Sequence, residues 1–220
     1  MADRTISHVD EAVIAKDLPA RVNYLKGFTK FTDDDGAAIQ AAKPLIAPAL
    51  PAILDNIYTH LISFDVTAKA FVPRQPEQAE TDPARATVQD LSLTHPNILH
   101  RKDFLKTYFV KLVSCADWAD GAKIWEYMDK VGVMHTGQPG FKHREKRPEL
   151  RVEVMHMSLL LAYVEDIVLE AVMGADELDM ATKTKIIRAF NKLLWIQNDL
   201  FQRHYVACDS ESAKVLNGRG

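Results

Sequence analysis

The chain has 220 residues, the size of one large domain, and nearly half of them are apolar, enough for a sizeable core. The formal net charge of −3 offers no basic face for nucleic acid, and the longest apolar runs, such as 157–164, are too short to cross a bilayer. Met1-Ala2-Asp3-Arg4 leads into a polar stretch with no apolar signal core, and Cys115 and Cys208 have neither metal nor redox spacing. A soluble protein of a reduced, cytoplasmic compartment is the expectation, with no nucleic acid and no membrane as partner.

Residues 1–20 read as a polar lead-in, irregular or weakly helical. Helix begins after Thr32-Asp33-Asp34-Asp35, a cluster suited to an N-terminal cap with acids in the first turn. Leu50, Ile53, Leu54, Ile57, Tyr58 and Leu61 then fall at helical spacing. From about 72 to 96 the chain is rich in Pro, Gln, Glu and Thr and reads as a long connection. A second apolar stripe, Leu105, Tyr108, Phe109 and Leu112, marks a helix over 98–113. The next helix is expected over 118–135, stopped by the breakers Thr136-Gly137-Gln138-Pro139-Gly140. After a basic segment, 142–147, Pro148 is placed like a first-turn proline of a helix that ends at Gly174. The last helix is expected over 180–206, followed by a frayed polar tail, 207–220. The stretch between lead-in and tail, 21–206, is expected to form one all-α domain without repeats.

No phosphate-binding glycine loop, HExxH, GxSxG or paired-cysteine zinc motif is present. What remains is a set of histidines in helical segments. His8, His95, His100 and His143 lie in polar or boundary segments, and His60, His156 and His204 suit ordinary, partly buried positions. His135 differs, because Ile124, Met128 and Val131 precede it by eleven, seven and four positions and place it on the inward stripe of its helix. A histidine there suits the proximal ligand of a haem, and Gly132 one turn earlier suits the approach of a flat macrocycle. On pattern alone a core histidine bonded to a carbonyl is the commoner case. Tyr58 lies on an apolar stripe and needs a partner for its hydroxyl, as a core tyrosine or as a donor to a bound ligand.

Several segments, in order, resemble the protoglobins and globin-coupled sensors. Asp129-Lys130-Val131-Gly132-Val133-Met134-His135 is similar to their proximal-helix motif, and Ile53-Leu54-Asp55-Asn56-Ile57-Tyr58 to their second helix. The run 190–199, closing at Tyr205, resembles their last helix, and Arg21-Val22-Asn23-Tyr24-Leu25 with Phe31-Thr32 and Asp35 their N-terminal signature. The resemblance spans 21–206. It implies a globin-like all-α fold with an extra N-terminal helix and haem b held between two layers. It implies His135 as the iron ligand, Tyr58 as the distal hydroxyl and Phe71 as an aromatic against the porphyrin. Leu160 falls at a distal apolar position, the helix of Leu105 and Tyr108 is expected over the distal face, and Met128 completes the expected cofactor-binding set. Ile57 stands where the family often has a large aromatic, and Leu160 where it often has phenylalanine, so a roomier distal pocket is expected. The basic segment 142–147 either reaches the haem propionates or is a solvated loop.

The expected function is reversible binding of a diatomic gas, O2, CO or NO, at a pentacoordinate haem iron, as sensor or scavenger. A haem redox enzyme and a haemless interaction module are the alternatives. With no output domain after Val206, signalling would need a separate partner. Apolar residues surround most of the helix over 152–169, and Leu193-Leu194-Trp195-Ile196 run in succession in the last helix, so a homodimer through these two helices is expected.

Overall fold

The computed structural model describes residues 5–72, 87–142, 145 and 149–217, with side chains to Val206. In chain order the helices are α1 (Glu11–Lys16), α2 (Leu18–Thr29), α3 (Asp33–Ala41), α4 (Lys43–Ile62), α5 (Asp65–Ala68), α6 (Pro96–Val113), α7 (Lys123–His135), α8 (Val154–Met173) and α9 (Met180–Asn217). Short 3-10 turns cover Lys69–Phe71 and Val88–Asp90. Among the described residues there is no strand, only one isolated bridge between Thr136 and Arg151.

Local chemistry explains where the elements differ from expectation. The lead-in carries α1, because Asp10 caps it by accepting from the amides of Ala12 and Val13 at 2.9 and 3.2 Å. The helix ending at His135 starts at Lys123 rather than near Trp118. Trp118 instead closes an apolar turn, its ring 5.4 Å from both Phe31 and Trp125, while Trp125 Nε1 donates to the Ala119 carbonyl at 3.0 Å. Pro148 lies outside the described residues, and α8 begins at Val154. The reason is that 150–152 returns along the end of α7: Gly137 N donates to Leu150 O at 3.0 Å and Val152 N to His135 O at 2.9 Å. Finally, α9 runs past Val206 to Asn217, since no Gly or Pro interrupts the chain before Gly218.

The long α9 is the spine, packed by α8, α3, α7 and α2, while α4 packs on α6 and α8. Partly buried ions fix the N-terminal helices to it. Arg21 reaches Asp199 through two nitrogens at 2.6 and 2.7 Å. Lys192 reaches both oxygens of the buried Asp35 at 2.8 Å. Asp35 also accepts from the Thr32 amide at 2.8 Å, so one carboxylate caps α3 and ties it to α9.

Helix α4 is long and apolar enough to cross a membrane by length and composition. Here its buried face (Ile46, Leu50, Ile53, Leu54, Ile57, Tyr58) forms part of the core. Pro44, Pro48 and Pro51 are confined to its first half, which leaves the half bearing Tyr58 regular. Helices α6 and α7 join the body through different partners, α6 through α4 and α3, α7 through α9 and α2. They meet through side chains, with the Tyr108 and Tyr127 rings stacked 6.0 Å apart.

Candidate functional site

The core shared by α4, α6, α7, α8 and α9 collects most of the residues singled out in the sequence. Tyr58 and Met128 are buried in the main core, and Phe71, Leu105, Tyr108 and Leu160 pack against it partly buried. His135 stands at the border of a second, smaller cluster of Met157, Phe201 and Tyr205. Leu161 packs against both clusters and joins them. Six of the seven residues thus share one core, and the seventh closes its neighbour.

His135 ends α7 because the glycine-rich breakers follow it; Gly137 and Gly140 adopt φ of +97° and +62°, conformations that only glycine takes readily. Its Nδ1 lies 2.7 Å from the carbonyl of Val131. A carbonyl only accepts, so Nδ1 carries the proton and the lone pair of the neutral ring is on Nε2. The ring is flanked by Phe201, with centroids 5.8 Å apart. The His135 backbone is bolted down as well, its carbonyl accepting from Val152 N at 2.9 Å and from the Tyr205 hydroxyl at 3.1 Å.

Tyr58 is only 5% exposed. Burial pushes its phenol up, and the nearby positive charge of Arg101 on α6 opposes that rise. The hydroxyl makes no hydrogen bond among the described residues. Phe71 stands edge-on to the Tyr58 ring at 5.7 Å, and its carbonyl accepts from Asn97 Nδ2 at 3.0 Å, which ties the segment after α5 to the first turn of α6.

Tyr108 is tied into the interior through its hydroxyl. Its hydroxyl donates to Gln197 Oε1 at 2.5 Å, and Gln197 Nε2 donates to the Met128 carbonyl at 3.4 Å. The pair links α6, α9 and α7 across the interior, and burial raises the Tyr108 phenol. Gly132 corrects one expectation. A Cβ there would lie 2.5 Å from the Leu200 carbonyl and 3.2 Å from the Phe201 ring, so this glycine admits helix α9 and not a macrocycle. In the basic segment, 143, 144 and 146–148 lie outside the described residues.

The sequence reading also passed over Val131 as ring acceptor and Phe201 as ring neighbour. Val131 was signalled by its four-residue offset from His135, and Phe201 and Tyr205 by their own four-residue offset on α9.

These residues suit a haem. Among the described residues no three His, Cys, Asp or Glu side chains converge as a metal cage. A lone imidazole with its lone pair on Nε2 matches a metal whose other ligands come from a macrocycle. An apolar lining, and a buried tyrosine whose hydroxyl makes no hydrogen bond among the described residues, match the remaining needs of such a pocket.

The helical order and the absence of strands among the described residues define a globin-like all-α domain. A globin domain of a Geobacter sulfurreducens globin-coupled sensor superposes with a TM-score of 0.60 at 17% identity, over 83% of this chain and 96% of that one. The protoglobin family model matches residues 18–211, and the chain belongs to the protoglobin family. No curated protein matches the sequence.

Proposed function

We propose that this protoglobin holds haem b with His135 as the protein ligand to iron and Tyr58 as the polar group on the opposite face, and binds a diatomic gas reversibly. Bound haem iron supplies an open coordination position for O2, CO or NO. The chain supplies the rest. Val131 fixes the His135 tautomer and ring orientation, and the hydrogen bond makes the imidazole a better base. Tyr205 and Val152 hold the end of α7 in place. Position at the last turn favours imidazolium by about 0.3–1 kcal/mol, small beside a coordinate bond. Tyr58, kept protonated by burial, holds a hydrogen for the outer atom of a ligand. Phe71, Leu105, Met128 and Leu160 exclude water.

The observation that carries this reading is the Nδ1–H of His135 on the Val131 carbonyl, because it directs the lone pair to Nε2. The purified protein should show a Soret band, and His135→Ala should lose most haem and regain part of it with added imidazole. Wild-type haem content with an unchanged spectrum in that variant overturns the assignment; absence of haem from the wild type favours a haemless module.

We further propose that the domain works in the cytoplasm as a homodimer joined through α8 and α9. Met155, Leu159, Leu169, Met173, Trp195 and Val206 on these helices are all at least 42% exposed, an apolar surface of the kind a symmetric partner covers.

A further inference from the structure

Helix α6 is capped by an unusual residue. Its first residue, Pro96, has no amide hydrogen, so the first N–H that the helix offers is that of Asn97. That amide donates to Nδ1 of His95 at 3.2 Å. An N–H only donates, so Nδ1 accepts and the neutral ring carries its proton on Nε2. Caps are ordinarily Ser, Thr, Asp or Asn, whose oxygens accept in neutral and in mildly acid solution alike. An imidazole accepts only while it is neutral. The Asn97 side chain is engaged at the same time. Its Nδ2 donates to the carbonyl of Phe71 at 3.0 Å, and the Phe71 ring stands edge-on to Tyr58 at 5.7 Å. One residue of α6 thus joins the cap to the aromatic pair.

We propose that His95 and Asn97 form an acid-released clasp that positions Phe71 and, through it, the Tyr58 hydroxyl. The consequence for a bound gas rests on the haem-pocket reading above; the clasp itself does not. Protonation removes the lone pair on Nδ1 and sets a positive charge at the positive end of α6. The amide of Asn97 then loses its acceptor and the first turn of α6 opens. Asn97 Nδ2 leaves the Phe71 carbonyl, and the ring that backs Tyr58 is freed. The charges around the cap come from each element that meets here. The turn Val88–Asp90 presents Asp90, whose carboxyl is held below its usual range by bonds from Thr87 and by the charge of His95, and which favours the imidazolium. The turn Lys69–Phe71 carries Lys69, paired with Asp65, and α6 carries Arg101 and Lys102 further along, the latter paired with Asp55. The clasp is closed in neutral and alkaline solution and is released as the pH falls through the histidine range.

The test compares wild type, His95→Asn and Asn97→Asp between about pH 8 and about pH 5.5. Asn at 95 accepts from the first turn at both pH values, while Asp at 97 suits a helix N-terminus but has no hydrogen for the Phe71 carbonyl. Hydrogen exchange by mass spectrometry, corrected for the intrinsic rate, reads the clasp with or without haem. Wild-type protection in the first turn of α6 should fall roughly fivefold on acidification, and that of His95→Asn by less than about twofold. In the haem-loaded protein, O2 dissociation by stopped flow should quicken by about the same factor in wild type, stay flat in His95→Asn, and be fast at both pH values in Asn97→Asp. Equal pH dependence in wild type and His95→Asn overturns the clasp. A first turn that opens on acidification while O2 dissociation stays flat, or an Asn97→Asp rate equal to wild type, overturns the positioning role. A protein that takes up no haem removes the pocket reading, and hydrogen exchange still decides the clasp. Should Asn97→Asp fail to fold, the comparison of wild type with His95→Asn carries the test.

Discussion

The hydroxyl of Tyr205 on α9 lies 3.1 Å from the carbonyl oxygen of His135, the last residue of α7. The same hydroxyl is 2.6 Å from the carbonyl of Val152, which itself donates its amide to His135 O. Three segments therefore meet at the residue proposed to hold iron. Tyr205→Phe removes the hydroxyl and leaves the ring in its cluster. It should lower stability by about 0.5–1.5 kcal/mol, the usual net worth of such a bond, and should speed haem loss to apomyoglobin. Urea melts and haem-transfer rates equal to wild type would show that the bond anchors nothing.

Gly132 tests the crossing of α7 and α9. By intrinsic helix propensity, Gly→Ala gains about 1 kcal/mol. Against that, the added Cβ would stand 2.5 Å from the Leu200 carbonyl, a backbone atom that cannot rotate away. Overpacking of this kind costs about 1–3 kcal/mol, so Gly132→Ala should be destabilising on balance. A variant melting above wild type in a thermal scan would mean that α7 and α9 do not cross here.

Tyr58→Phe tests the hydroxyl proposed to face the gas ligand. Losing a donor worth about 1.5–3 kcal/mol to a charge-bearing ligand atom should raise the O2 dissociation rate roughly ten- to a hundredfold. CO carries less charge on its outer atom, so its rate should change far less. Equal changes for both gases, measured by stopped flow and flash photolysis, would place the hydroxyl away from the ligand.

The proposed dimer turns on two adjacent residues. Trp195 is 58% exposed, whereas Ile196 is wholly buried in the core. Trp195→Glu together with Leu169→Glu should halve the mass seen by light scattering at micromolar concentration and leave the fold intact. Ile196→Glu, which the sequence alone would have nominated, should instead unfold the domain, because it buries an unpaired charge. A wild type that is monomeric throughout a concentration series would defeat the pairing.

Much of this was legible before any coordinates. The spacing of Ile124, Met128, Val131 and His135 put the histidine on the inward stripe at the end of its helix, and the glycines after it set where that helix stops. Thr32 and Asp35 marked the start of α3, and the ordered segments marked the family. Periodicity names the face of a helix that turns inward, and local chemistry names where a helix begins and ends. Neither names what lies opposite. That Gly132 meets the Leu200 carbonyl, that Tyr108 is held by Gln197, and that Tyr205 bolts down His135 were decided only when helices distant in sequence packed together. The same holds for Trp195 and Ile196, which lie side by side in an apolar run. Which of the two points outward depends on the rotation of α9 against its neighbours, and that rotation is fixed by long-range contacts such as Arg21 with Asp199 and Lys192 with Asp35.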